Sequence, residues 1–142
     1  APDSFRASPT ASFIVTPETL DNNSDCIEGF LRAWAKGTYA GIHNGENTMA
    51  IGRAAVPEEW EDEAVGSASY HESVAYQESV DGKDFGVVQT GVWQAVADQL
   101  IAAGELDAAE IDVDDFIDQS LVDGANSWDR SKVQVDIDGY GS

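Results

Sequence analysis

A chain that sets 27 carboxylates against seven basic side chains over 142 residues can close on itself only where something screens the repulsion. At a formal charge of −20 the folded surface repels itself in dilute buffer, whereas molar salt confines each field to about 3 Å. The sequence therefore reads as salt-adapted. An acidic disordered tail is the competing reading; it fits poorly because 42% of residues are hydrophobic and four Trp, four Tyr and five Phe are spread along the chain. The same charge excludes partners. Nucleic acid needs clustered Lys/Arg, and here Lys36, Lys83 and Lys132 are scattered among four arginines. An anionic membrane surface is repelled for the same reason, and no apolar run reaches the roughly 18 residues that membrane insertion needs.

This length predicts one domain. Nineteen Ala against five Leu predict a thin core, which salt can support from outside by strengthening apolar burial. Residues 1–12 are rich in Pro, Ser and Ala and read as an extended lead-in. Phe13-Ile14-Val15, closed by Thr16-Pro17, reads as a short strand. Asn23-Ser24-Asp25 are cap candidates, with Glu28 in capping-box register, for an amphipathic helix over 25–43 whose face is Ile27, Phe30, Leu31, Trp34 and Ile42. Gly37 and Gly41 either weaken it or admit a close neighbour. Asn44-Gly45 breaks it, and Glu46–Ala55 reads as a second helix with Met49, Ala50 and Ile51 available for burial. Pro57 with Glu58 and Glu59 starts a third, facing inward through Trp60 and Ala64.

Gly66–Val80 hints at a helical turn or two around Tyr70, Val74 and Gln77. Asp81-Gly82-Lys83-Asp84 is a turn. From Thr90 the strongest helical stripe runs through Trp93, Val96, Ala97, Leu100 and Ile101 to a C-cap at Gly104. Asp112 caps a last helix, with Phe116, Ile117 and Leu121 inward and Gly124 after it. Residues 125–142 form an atypical tail in which Lys132–Ile137 alternates with period two and reads as a possible C-terminal strand.

Chemistry is sparse in this pattern. His43 and His71 lack any Cys or second His at ligand spacing, so no metal site is expected, and His43 reads as a solvated helix-end residue. Cys26 reads as a small buried hydrophobe. The clusters Asp81/Asp84, Asp112/Asp114/Asp115 and Asp136/Asp138 match no calcium loop and read as diffuse cation attractors. There is no phosphate loop, nucleophile elbow or Cys/His pair, so neither catalytic residues nor a cofactor is expected, and the chain reads as no enzyme.

Blocks in a fixed order carry a resemblance: Phe13-Ile14-Val15-Thr16 and Glu18-Thr19-Leu20, Ile27-Glu28-Gly29-Phe30-Leu31-Arg32-Ala33-Trp34-Ala35-Lys36-Gly37, Asn44-Gly45-Glu46-Asn47, Gly86, Gly91-Val92-Trp93, Leu100-Ile101-Ala102-Ala103-Gly104-Glu105-Leu106 and Phe116-Ile117. Over residues 13–124 they resemble the C-terminal part of the extracytoplasmic solute-binding proteins of ABC importers, in the nitrate/sulfonate/taurine and thiamine-pyrimidine-precursor group. Gly45 stands where that family usually has Pro, and the tail from Trp128 departs from it. The resemblance implies a mainly α segment of a type 2 periplasmic-binding-protein-like α/β fold. It also implies capture of a small organic solute, delivery to an ABC permease, and a companion N-terminal lobe or second copy as partner. It names no ligand-binding residue. The location it implies is extracellular at the cell surface; the alternative is a stand-alone halophilic helical interaction module without ligand binding, cytoplasmic in a high-salt organism. Starting at Ala1 without Met, the chain reads as a processed product or a piece of something longer.

Overall fold

A computed structural model of the chain describes residues 12–78, 84–107 and 111–140. Among these residues the regular structure is entirely helical. Helices α1 (Pro17–His43), α2 (Gly45–Ala55), α3 (Glu63–Glu78), α4 (Thr90–Ala102), α5 (Val122–Ala125) and α6 (Arg130–Gly139) are joined by 3-10 turns at Pro57–Trp60 and Val113–Asp115. This corrects the α/β expectation and both strands that it contained.

Each correction has a local cause. Thr16-Pro17, which would close a strand, instead opens α1: the Thr16 hydroxyl accepts from the Thr19 amide at 3.2 Å and Pro17 occupies the first turn, where its missing N–H costs nothing. Phe13–Val15 takes up no regular structure, no strand lies beside it among the described residues, and Ile14 is 89% exposed. The cap candidates at Asn23–Asp25 mark a kink inside α1, where Asn23 has φ −135° and ψ 21°. In the tail, Val133 and Ile137 face one way under either a period of two or one of 3.6, so only Val135 separates the two readings. Ile137 is buried and Val135 is exposed, as a helix requires. Asp129 starts that helix, its carboxylate accepting from the Ser131 amide at 3.0 Å and the Ser131 hydroxyl at 2.6 Å.

Other expectations held. Asn44 ends α1 and caps α2 by accepting from the Asn47 amide. α4 ends at Ala102 with Ala103 as its C-cap, and Gly104 just beyond, at φ +77°, closes a pair of hydrogen bonds: Gly104 N–H to the Ile101 carbonyl at 3.0 Å and Glu105 N–H to the Leu100 carbonyl at 2.9 Å. Asp112 caps only the short 3-10 turn, and Gly124 lies inside α5 rather than after a long helix. Of the turn at Asp81–Asp84, all but Asp84 lies outside the described residues, as do residues 1–11 of the lead-in.

The core is as thin as the composition predicts. Among the described residues it consists of Ala35, Met49, Ala97, Val113, Ala125 and Ile137, with no large side chain fully enclosed. Ala50 and Ile51 are exposed. α1 is the spine, packed by α2, α3, α5 and α6. Polar clips do much of the fastening. Arg32 pairs with Glu28 one turn back and donates through Nε to the Gly124 carbonyl at 2.9 Å, holding α5 to α1.

Asn126 is the strongest clip. It accepts from the Phe85 amide at 2.9 Å and donates to the carbonyls of Phe85 at 2.9 Å and Val122 at 2.8 Å. One amide thus holds the loop before α4 as a neighbouring strand would. Asn126→Ala removes all three bonds, at a net of about 0.5–1.5 kcal/mol each. The expected result is a loss of about 2–3 kcal/mol in chemical denaturation in molar salt, with the earliest loss of amide protection at Phe85.

Candidate functional site

Among the described residues two features could engage another molecule: a crevice between α1 and α3, and a bare apolar face on α1. The crevice has a volume of about 160 Å³ and is lined by Thr38, Gly41, Ile42, Thr48, Tyr70, Ser73, Val74 and Gln77. Three of its hydroxyls are committed to backbone. Tyr70 donates to the Gly41 carbonyl at 2.9 Å, Thr48 to the Asn44 carbonyl at 2.9 Å, and Ser73 to the Ser69 carbonyl at 2.9 Å. Tyr70 reaches Gly41 because a side chain at Gly45 would lie 2.5 Å from its hydroxyl. Most of the crevice's hydroxyls thus serve packing between the helices.

The apolar face is built from aromatic rings. Phe13 folds back from the extended entry and stands edge-on to Phe30 at 5.1 Å and to Trp34 at 5.4 Å, and Trp34 meets Phe85 at 6.5 Å. These contacts leave Phe13 54%, Phe30 55% and Trp34 36% exposed. Sequence periodicity correctly groups Phe30 and Trp34 on an apolar stripe of α1. It places that stripe inward, however, whereas only Ala35 of α1 is fully covered.

The titratable residues singled out from sequence do not converge. His43 is exposed at the end of α1, its ring 4.1 Å from that of Tyr39, while His71 sits beside Tyr70. Cys26 is exposed, which corrects the buried reading: the kink at Asn23 and the outward turn of Phe30 put its row in solvent. Asp84 faces Arg130 at 3.6 Å, Asp112 caps its turn, and Asp138 accepts from Gln134 at 2.8 Å. Among the described residues no three His, Cys, Asp or Glu gather as metal ligands, and no helix is long and apolar enough to cross a membrane.

The perturbed groups are structural. Hydrogen bonds from Arg53 hold Glu63 below the usual carboxylate range, as those from Ser120 and Ser131 do for Asp118 and Asp129. A depressed carboxylate stabilises the fold above its unfolded value and loses that contribution as pH falls through its folded one. Acidification below the ordinary carboxylate range in molar salt should therefore fray α6 early. Asp129→Ala should reproduce the fraying at neutral pH, and Asp129→Asn should keep the cap while removing its pH dependence, read by amide exchange at Ser131 and Lys132.

Compared with family models, with curated proteins and with solved structures, the chain matches none.

Proposed function

We propose that this chain is a salt-adapted helical interaction module, whose working surface is the bare apolar face of α1 and whose partner is another protein surface. The observation that supports it is the aromatic cluster Phe13, Phe30 and Trp34 left open beside Ile14, in a chain that carries a charge on about a quarter of its residues. Contiguous apolar surface of this kind on a small domain marks a place of association. Small-molecule sites span about 300–1,000 Å³, well above the crevice between α1 and α3. Solute capture beside an ABC permease was implied by resemblance to an α/β family, and since that fold is not the observed one, the reading here stands on the surface alone.

Two measurements in molar KCl test it. An environment-sensitive apolar dye should bind the folded chain, and Phe30→Ser should weaken that binding severalfold without lowering helix content. A panel of small organic solutes should leave the unfolding midpoint unchanged. A solute that raised the midpoint with the logarithm of its concentration would replace the interaction reading with one of capture.

A further inference from the structure

The first turns of α1 form an arm joined to the rest of the helix at Asn23, whose φ of −135° and ψ of 21° interrupt it. Asn22, Asn23 and Ser24 all favour caps and turns over helix interiors, so the sequence supplies a hinge where the backbone bends. The bend brings the arm back over its own helix. Were α1 straight, Trp34 would stand about 26 Å along the axis from Pro17, at 1.5 Å per residue. The four residues that lead from Phe13 to Pro17 cover at most about 14 Å. Phe13 nonetheless meets Trp34 at 5.4 Å, a distance that an unbent helix would allow only with chain and side chains fully stretched.

The arm is lightly held, and its seat is firm. Of residues 12–23 only Leu20 is not exposed. Among the described residues no side-chain hydrogen bond or ion pair ties the arm to anything beyond Asn23: the Thr16 and Thr19 hydroxyls meet each other at 2.9 Å, and Asn23 Nδ2 donates to the Thr19 carbonyl at 3.1 Å. Charge does not fasten it either, since residues 12–23 carry Glu18 and Asp21 and no basic side chain in a chain of net charge −20. What holds it is apolar contact, the ring of Phe13 on Phe30 and Trp34 together with the half-buried Leu20. Trp34, by contrast, is backed by Phe85, whose amide and carbonyl are both bound by Asn126. We propose that residues 13–22 are a hinged strap over the Phe30 and Trp34 surface. With Phe13 seated, part of that surface is covered; a swing at Asn23 lifts the ring and opens the whole of it to a protein partner.

The strap rests on the interaction reading above and divides its cluster into a fixed seat, Phe30 and Trp34, and a removable cover, Phe13. Two readouts in molar KCl test it. Phe13 is half exposed, so Phe13→Ser leaves helix content unchanged; it should strengthen binding of the apolar dye severalfold, opposite in sign to Phe30→Ser. Spin labels at Ile14→Cys and Gly37→Cys, both exposed positions, report the arm directly in a Cys26→Ser background. A straight α1 sets positions 17 and 37 alone about 30 Å apart, and the closed strap should hold the labels well short of that. Replacing Asn22, Asn23 and Ser24 by Ala, the best helix former, should lengthen the label distance and raise dye binding together. Dye binding weakened by Phe13→Ser would make Phe13 part of the surface, overturning the strap while the interaction reading stands. A label distance unmoved when the three alanines are added to Phe13→Ser would overturn the hinge. Dye binding absent from the wild type and every variant would overturn the interaction reading, and the strap with it, whatever the labels show.

Discussion

The unfolding midpoint of this chain should climb by on the order of 15–20 °C as KCl is raised from millimolar to multi-molar, at about 4 °C per kcal/mol for a domain of this size. Two contributions add. Screening shortens the reach of each carboxylate from about 10 Å at 0.1 M to about 3 Å at 1 M, which relieves repulsion that the fold itself does little to offset. Four ion pairs are present among the described residues, and each joins side chains that remain at least a third exposed. Exposed pairs of that kind contribute about 0–1 kcal/mol apiece. The second contribution is apolar burial, which excluded salts strengthen. It matters here because the buried set is mostly Ala and Val, with Met49 and Ile137 the largest members. The shape of the curve separates the two: screening saturates near molar salt, whereas burial keeps rising and is greater in sulfate than in chloride. A flat series across the whole range would show that the acidic surface is not an adaptation to salt.

Helix punctuation was legible from residues, and orientation was not. Asn44-Gly45, Pro57 and Gly104 announce their breaks because each acts through backbone geometry within one turn, independent of what packs around it. The strand assignments failed where two periods coincide. Phe13–Val15 is too short to show any period, and positions 133 and 137 satisfy both. The direction of α1's apolar stripe was hidden for a different reason. With Phe30 and Trp34 on one side and Leu31, Ala35 and Ile42 toward the other, α1 is apolar over more than one face, and its own pattern cannot say which neighbours arrive. The choice is made by remote clips: Arg32 to Gly124, Tyr39 to Gln134 at 3.1 Å, and Asn44 to the Ile137 carbonyl at 3.3 Å. All three join α1 or its cap to residues beyond 120, and the last two reach the stretch 125–142 that reads from sequence as an atypical tail. The candidate surface was thus half legible, its residues but not its exposure.

Gly66→Ala should lower stability by about 1–2 kcal/mol even though Ala is the better helix former, since overpacking of about 1–3 kcal/mol opposes a gain near 1 kcal/mol. A methyl group there would sit 2.5 Å from Cε3 and 2.7 Å from Cδ2 of Trp60. The indole has little room to yield, because a side chain at Gly52 would already lie 3.0 Å from its Nε1, and the Arg53 guanidinium stands 4.6 Å over the ring. Arg53 is itself held by Glu63, with Nε 2.9 Å from Oε1 and 3.2 Å from Oε2. α2, the 3-10 turn and α3 therefore meet on one ring gripped by two glycines and a fixed cation. Gly91→Ala supplies the contrast: in the first turn of α4, with open space around the added methyl, it should be neutral or stabilising by up to about 1 kcal/mol. Trp60→Phe in the Gly66→Ala background shortens the ring on the crowded side, so the two changes together should cost less than the sum of each alone. Strict additivity in that cycle would mean that Gly66 is small for some reason other than Trp60, and the account of how α3 joins α2 would fail with it.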